Sequence, residues 1–116
     1  MKQISLDELR KGDLILVRWM DASEFRAKLA EHTGEPEVYV KDLGVFLGVS
    51  GAKKKHIIIG KDVVESKDEW GAARIPLDLI ESIILVMPRE EVEKMMIEVK
   101  ALVRRVRIRK YVRWTP

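Results

Sequence analysis

Short runs of apolar and β-branched residues dominate the first 87 positions of the chain. They occupy 14–20, 38–49, 56–64, 72–75 and 82–87, and glycine, proline or charged residues separate them. Runs of this length and composition, bounded by turn-forming residues, are typical of strands. The pattern therefore predicts a β-rich α+β fold with five short strands.

Three stretches carry helix signals between the predicted strands. Ser5 and Glu8 have the spacing of a capping box, which predicts a helical turn after Ser5. Asp21 and Glu24 repeat this spacing, which predicts a short helix over 22–31. The segment 76–80 opens with proline and is predicted to form a single tight turn.

A long amphipathic helix is predicted after Pro88, over 88–103. Two glutamates follow the proline and complement the positive end of the helix dipole. Beyond Arg104 the pattern alternates, which predicts a strand over 105–114, with a continued helix as the alternative. Apolar residues at three- and four-residue spacing define one helical face: Val92, Met95, Met96, Val99, Leu102, Val103 and Val106.

Composition narrows the class of protein. A chain of 116 residues fits one domain over 1–116, and 47% apolar with 35% charged residues indicates a folded chain with an ionic surface. It has no cysteine, so disulfides and thiol chemistry are excluded. We see no signal peptide and no apolar run long enough to cross a bilayer, and we expect a cytoplasmic protein with no membrane association.

Amide side chains are almost absent. The chain has no asparagine and only Gln3 as glutamine, beside abundant lysine, arginine and glutamate. Loss of thermolabile amides with gain of ion-pairing residues is typical of hyperthermophile proteins. We therefore expect a thermophilic source.

The net charge of +3 conceals a strong asymmetry. The segment 104–116 contains six basic residues and no acid, which leaves 16 of the 22 basic residues against all 19 acidic ones in 1–103. The protein thus has a mildly acidic body and a strongly basic end.

Glycine and proline punctuate the predicted strands at particular places: Gly12-Asp13 before the first strand, Gly44, Gly48 and Gly60 in the middle strands, and Ile75-Pro76 before the last strand. With these features, residues 5–87 resemble the small five-stranded barrels of the Sm-like and Src-homology type. The resemblance implies a barrel with a helical insertion at 22–31, followed by an amphipathic helix and a basic terminal strand. Such barrels host nucleic-acid binders, peptide binders and assembly subunits, so the resemblance leaves the function open.

Candidate catalytic chemistry is sparse. His32 and His56 are isolated, with no histidine or carboxylate at metal-ligand spacing. The acids of 65–69 fall in a polar connection predicted over 65–71, where solvated side chains are the ordinary outcome. The segment 48–54 lacks the full Gly-x4-Gly-Lys-Ser/Thr pattern of a phosphate loop. We predict no enzyme activity, no metal site and no cofactor.

The basic end favours a nucleic-acid-binding protein of low sequence specificity, acting on DNA or RNA. Arginine grips phosphate with two hydrogen bonds at once, and a tyrosine among arginines can stack on a base. Arginines on an outer strand that pair with the chain's own acids are the alternative. The predicted binding residues are Arg104, Arg105, Arg107, Arg109, Lys110, Tyr111 and Arg113, extended by Lys53, Lys54 and Lys55.

A second hypothesis is a protein-assembly module that docks through the C-terminal helix or strand, on a second copy or another protein. Methionine packs adaptably and is frequent at partner surfaces. The predicted interface is Val92, Met95, Met96 and Val99. Burial of the same residues against the end of the protein's own barrel is the alternative.

Overall fold

The computed structural model describes residues 1–21, 38–64, 66–67 and 69–105, with side chains as far as Glu98. Two 3-10 turns, Leu6–Glu8 and Leu77–Leu79, precede strands. The described part of the chain also contains one helix and six strands: β1 (Lys2–Ile4), β2 (Leu14–Met20), β3 (Tyr39–Ser50), β4 (His56–Val64), β5 (Glu69–Pro76), β6 (Ile80–Met87) and α1 (Arg89–Arg105).

The strands form one antiparallel sheet in the order β1-β6-β2-β3-β4-β5. The predicted β-rich α+β class is confirmed at this level. The sheet is open and has six strands, so neither barrel closure nor the predicted count of five is confirmed. The additional strand is β1, in which Lys2 pairs with Leu85 and Ile4 with Ile83. Three residues are too few to give a periodic signal.

The core lies on one face of this sheet. Alternate residues of β2 and β4 point inward, so that Ile15 and Ile57 are completely buried. Each strand thus contributes one or two buried side chains to one cluster, which draws on all six strands. Its buried members are Ile4, Ile15, Val17, Phe46, Ile57, Ile59, Ile75 and Ile83.

Local signals in the sequence are confirmed where they depend on neighbouring residues. The Glu8 carboxylate accepts hydrogen bonds of 3.1 Å from the backbone N–H and the hydroxyl of Ser5, as the capping box predicts. The backbone hydrogen bond from Ser5 lowers the pKa of Glu8. The predicted turn at 76–80 is present as Leu77–Leu79.

The polar connection predicted over 65–71 is wrong at its end. Strand β5 begins at Glu69, because Trp70 pairs with Val63 and Gly71 with Asp62 in the register with β4. This pairing is a tertiary effect that the local composition does not reveal. Trp70 is consequently a strand residue.

The predicted helix is confirmed and is described as far as Arg105, two residues beyond the expected limit. The assignment of Arg105 to a strand is therefore wrong, because the apolar stripe continues the helix through Leu102 and Val103. The rest of the predicted strand, 106–114, and the predicted helix at 22–31 lie outside the described residues.

Candidate interaction groove

The side chain of Asp13 attaches the helix to the sheet. It is 1% exposed, and its two carboxylate oxygens accept the backbone N–H groups of Arg10 at 2.9 Å and Arg89 at 2.8 Å. The first N–H groups of a helix have no partner within the helix, and an acidic side chain there also complements the dipole. Asp13 thus caps α1 from a distant part of the sequence.

Two further contacts hold the first turn of α1. The Arg10 guanidinium donates two hydrogen bonds, of 2.6 and 2.8 Å, to the Glu90 carboxylate. These bonds lower the pKa of Glu90 to about 2. Gly12 has a φ of 102°, and a Cβ at this position would lie 3.0 Å from the Arg89 Cβ. A larger residue there would push the helix away.

Beyond this attachment the helix leaves the sheet. Val92 is 8% exposed and is the last buried side chain of α1 up to Glu98, where the description of side chains ends. Every residue from Glu93 to Glu98 is exposed, including Met95, Met96 and Ile97. An amphipathic helix normally buries its apolar face, so this one is incompletely covered.

A groove of about 680 Å³ lies between α1 and the outer face of the sheet. Its lining is mostly apolar, and several of its side chains are also well exposed: Leu43 on β3, Trp70 on β5, and Met95, Met96 and Ile97 on α1. Exposed apolar side chains gathered around one concave surface are a mark of binding sites. We name this surface the α1 groove.

The floor of the α1 groove depends on Gly60. A Cβ on this residue would lie 2.4 Å from the Trp70 Cε3, so the indole occupies the space that any side chain would fill. Gly60 pairs with Val45 on β3 and Ala72 on β5. The glycine therefore allows a large aromatic ring to lie flat against the sheet, where it remains 41% exposed.

A polar cluster flanks the α1 groove. Asp42 accepts a 2.8 Å hydrogen bond from the Trp19 Nε1–H and another from the Lys61 ammonium group. Lys61 also lines the groove beside Asp62. Trp19 itself is partly buried and packs against the core.

The predicted interface residues lie at this groove as far as the structure describes them. Val92 forms the buried end, and Met95 and Met96 form the exposed wall. Val99 is in α1, but its side chain is beyond those described.

The predicted nucleic-acid-binding residues are distributed differently. Lys53, Lys54 and Lys55 are exposed in the connection between β3 and β4. The groove begins at Gly60, roughly 17 Å further along β4. Arg104 and Arg105 belong to the last turn of α1. The others, Arg107, Arg109, Lys110, Tyr111 and Arg113, lie outside the described residues.

The guanidinium of Arg18, on β2, is already engaged by groups of the same chain. It lies 3.8 Å from the Tyr39 ring centroid, and it forms a 3.6 Å ion pair with Glu81. It therefore does not extend a free cationic surface.

Sequence reasoning missed the sheet side of the groove. Leu43 follows an aspartate in β3, and Trp70 lies in what was predicted to be a loop. The one usable signal was Gly60, whose missing side chain leaves room for the Trp70 ring, and recognising it requires knowledge of the register.

Two other kinds of feature, a metal-binding cluster and a membrane-spanning helix, are absent from the described residues. They contain no group of three or more His, Asp or Glu side chains that could hold a metal ion. None of the helices among them is both long and apolar enough to pass through a membrane. In comparisons with known proteins, the chain matched no family model, no curated protein and no solved structure.

Proposed function

We propose that this chain is a non-catalytic protein-interaction module that binds a protein partner in the α1 groove. The observation that carries the proposal is the exposure of Leu43, Trp70, Met95 and Met96 around one concave surface. Leu43 is 54% exposed and Met96 is 47% exposed, although both line the same groove.

The chemistry of this surface suits a protein partner. Tryptophan is among the residues that contribute most to binding at interfaces, because a large ring loses little conformational entropy on burial. Methionine adapts its shape to irregular surfaces. Lys61, Asp62 and Glu93 supply the charged rim that surrounds the apolar centre of many interfaces.

The attachment of α1 supports the same proposal. Asp13 and Arg10 hold the first turn through three hydrogen bonds, and Val92 of the same helix is buried. The N-terminal end of the helix is therefore fixed before any partner arrives. A surface that is already in its binding position loses less entropy when it binds.

Site-specific photo-cross-linking tests the proposal. A photoreactive amino acid is placed at position 96, and the full-length protein is irradiated in an extract of its source cells. We expect one or a few discrete adducts with protein, identified by mass spectrometry. The matched control carries the same group at Glu81, which is exposed on β6 and distant in sequence from the groove. Adducts equal to the control, or cross-links only within the same chain, would contradict the proposal.

Nucleic-acid binding is the second candidate function, and the charge distribution favours it. Six basic residues without an acid lie in 104–116, and the lysines of 53–55 are exposed. If six phosphates are contacted, the logarithm of the affinity falls with the logarithm of salt concentration at a slope of about −4 to −5. Binding of this kind would have little sequence specificity, because phosphate contacts carry no sequence information.

A mobility-shift titration over a range of salt concentrations tests this second function. Arg105→Ala/Arg107→Ala/Arg109→Ala should weaken binding and reduce the steepness of the salt dependence by about 2 to 3. The control replaces three exposed lysines of the body, Lys2, Lys11 and Lys67, with alanine. Equal binding by the wild type and both variants would exclude the basic end as a binding element.

For the fold, we propose a small barrel of the Sm-like or Src-homology type built from β2 to β6. A core that all the strands share on one face requires a strongly curved sheet. The short turn at Leu77–Leu79 before β6 is consistent with this proposal. Inter-strand nuclear Overhauser effects would test closure between β5 and the opposite end of the sheet.

A further inference from the structure

We propose that the partner in the α1 groove is a second copy of this chain, whose own α1 lies antiparallel to the first. This inference rests on the proposed function and specifies its partner. Three features of α1 lead to it: the incompletely covered apolar stripe, the spacing of that stripe, and the separation of charge along the helix.

The protein's own fold buries only part of the apolar stripe of α1. Val92 is buried, whereas Met95 is 37% exposed and Met96 is 47% exposed one turn later. Strand contacts therefore cover the beginning of the stripe and not its continuation. A helix of 17 residues is about 25 Å long, which is enough to pair with another helix over four turns.

The spacing of the stripe suits another helix. From Val92 the apolar positions advance by four, three and four residues, to Met96, Val99 and Val103. Their average step is about 3.7 residues, close to the 3.6 residues of one α-helical turn, so these positions stay on one side of the helix along its length. Met95 widens the stripe on one side, as in helices that pack in bundles.

The charge along α1 is separated by sign. Four of the six charged residues from Arg89 to Glu98 are acidic, and Glu91 and Glu93 among them are exposed. From 99 to 105 all the charged residues are basic, and two of them, Arg104 and Arg105, form part of the last turn.

This polarity determines the orientation of the pair. A parallel arrangement would bring acidic turns together and basic turns together, which is unfavourable. An antiparallel arrangement brings the acidic turns of each helix to the basic turns of the other, twice in a two-fold dimer. The helix is thus complementary to a reversed copy of itself.

Sedimentation velocity on the full-length protein over a range of concentrations tests the pairing. The wild type should convert from monomer to dimer as concentration rises. Met95→Gln/Met96→Gln should raise the dissociation constant about a hundred-fold or more, because four apolar side chains per dimer lose their burial. Glutamine has nearly the helix propensity of methionine, so α1 itself should persist.

Val49→Gln is the matched control. Val49 is an apolar residue of β3 that is 48% exposed, as much as Met96, and it does not line the α1 groove. Its replacement should leave the dissociation constant unchanged within about two-fold. Weakening equal to that of the methionine variant would contradict pairing through the stripe.

Charge exchange tests the orientation. Glu91→Lys/Glu93→Lys and Arg104→Glu/Arg105→Glu should each self-associate about ten-fold more weakly or worse, because each places like charges together in the antiparallel pair. An equimolar mixture of the two variants should form a mixed dimer at least as strong as the wild-type dimer. Recovery in the mixture also shows that both variants are folded. If either charge-exchange variant on its own self-associates like the wild type, the antiparallel arrangement is contradicted.

The outcomes separate this inference from the function on which it rests. A wild type that stays monomeric at all concentrations, but cross-links from position 96 to a different protein, overturns the self-pairing and leaves the interaction module standing. A monomer without discrete adducts overturns both.

Discussion

The inner face of the sheet and the exposed face of α1 are both apolar, yet only the first is buried. The inner face buries Ile15, Ile57 and Ile59 completely, whereas Met95 and Met96 remain partly exposed. The first surface is closed by the chain's own strands, and the second is left open beside a groove. Apolar character alone therefore does not separate a folding core from a binding surface; the contacts that cover it do.

The largest expected effect contrasts one residue from each surface. Ile57→Ala should lower the free energy of unfolding by about 4 kcal/mol, because it opens a cavity in a fully buried cluster. Met96→Ala should change it by no more than about 0.5 kcal/mol, because the side chain is half exposed and alanine favours the helix. Urea unfolding of dilute protein measures both. Equal losses would show that Met96 belongs to the core.

Asp13 connects the two regions, and its loss should be the next largest effect. Asp13→Ala leaves the N–H groups of Arg10 and Arg89 without their acceptor and should destabilise the protein by about 3 kcal/mol. Circular dichroism at 222 nm should also report a loss of helix before the sheet unfolds. The control is Asp7→Ala, at an exposed acid of the Leu6–Glu8 turn, and it should change stability by less than about 0.5 kcal/mol.

Gly60→Ala should break the floor of the groove with a smaller loss. The added methyl group would overlap the Trp70 ring and should cost about 2 kcal/mol through displacement of the indole. The Trp70 indole resonance in a two-dimensional NMR spectrum should shift. In a Trp70→Ala background the same substitution should cost much less, because the added methyl group then meets only the end of the Leu47 side chain, at 3.1 Å. A full cost in that background would place the strain elsewhere.

The smallest effect concerns pH and the exposed pair that steadies α1. The pKa of Glu90 is lowered from its ordinary value of 4.5 to about 2 in the folded protein, chiefly by the Arg10 hydrogen bonds. The stabilisation by this pair is therefore fully present above about pH 4.5 and is lost as the pH falls towards 2. The stability difference between wild type and Glu90→Gln should be constant above pH 5 and shrink below it. Thermal melts at several pH values measure this difference, and a difference that grows on acidification would contradict the assigned pKa.

Much of the fold could be predicted from local pattern. The runs at 14–20 and 56–64 correspond to β2 and β4 because β-branched residues and flanking turns specify strands locally. The beginning of β5 could not be predicted, because the register with β4 determines it. The predicted helix is too short because the helical pattern and the alternating pattern overlap around Arg104 and Arg105. The structure is helical at both residues.

Only half of the candidate site could be predicted. Met95 and Met96 share a helical face, and that period is visible in the sequence. Leu43 and Trp70 are far apart in sequence and meet only because β3, β4 and β5 are neighbours in the sheet. No spacing rule connects them. The cap from Asp13 to Arg89 likewise spans 76 positions and depends on the tertiary fold.

The central claim is that the open face of α1 serves association and not folding. The most direct test measures the unfolding free energy and the association of Met95→Gln/Met96→Gln in the same preparation. The account predicts stability within about 1 kcal/mol of the wild type in dilute solution, together with the loss of self-association. A loss of several kcal/mol with association unchanged would contradict it, since the methionines would then be part of the core.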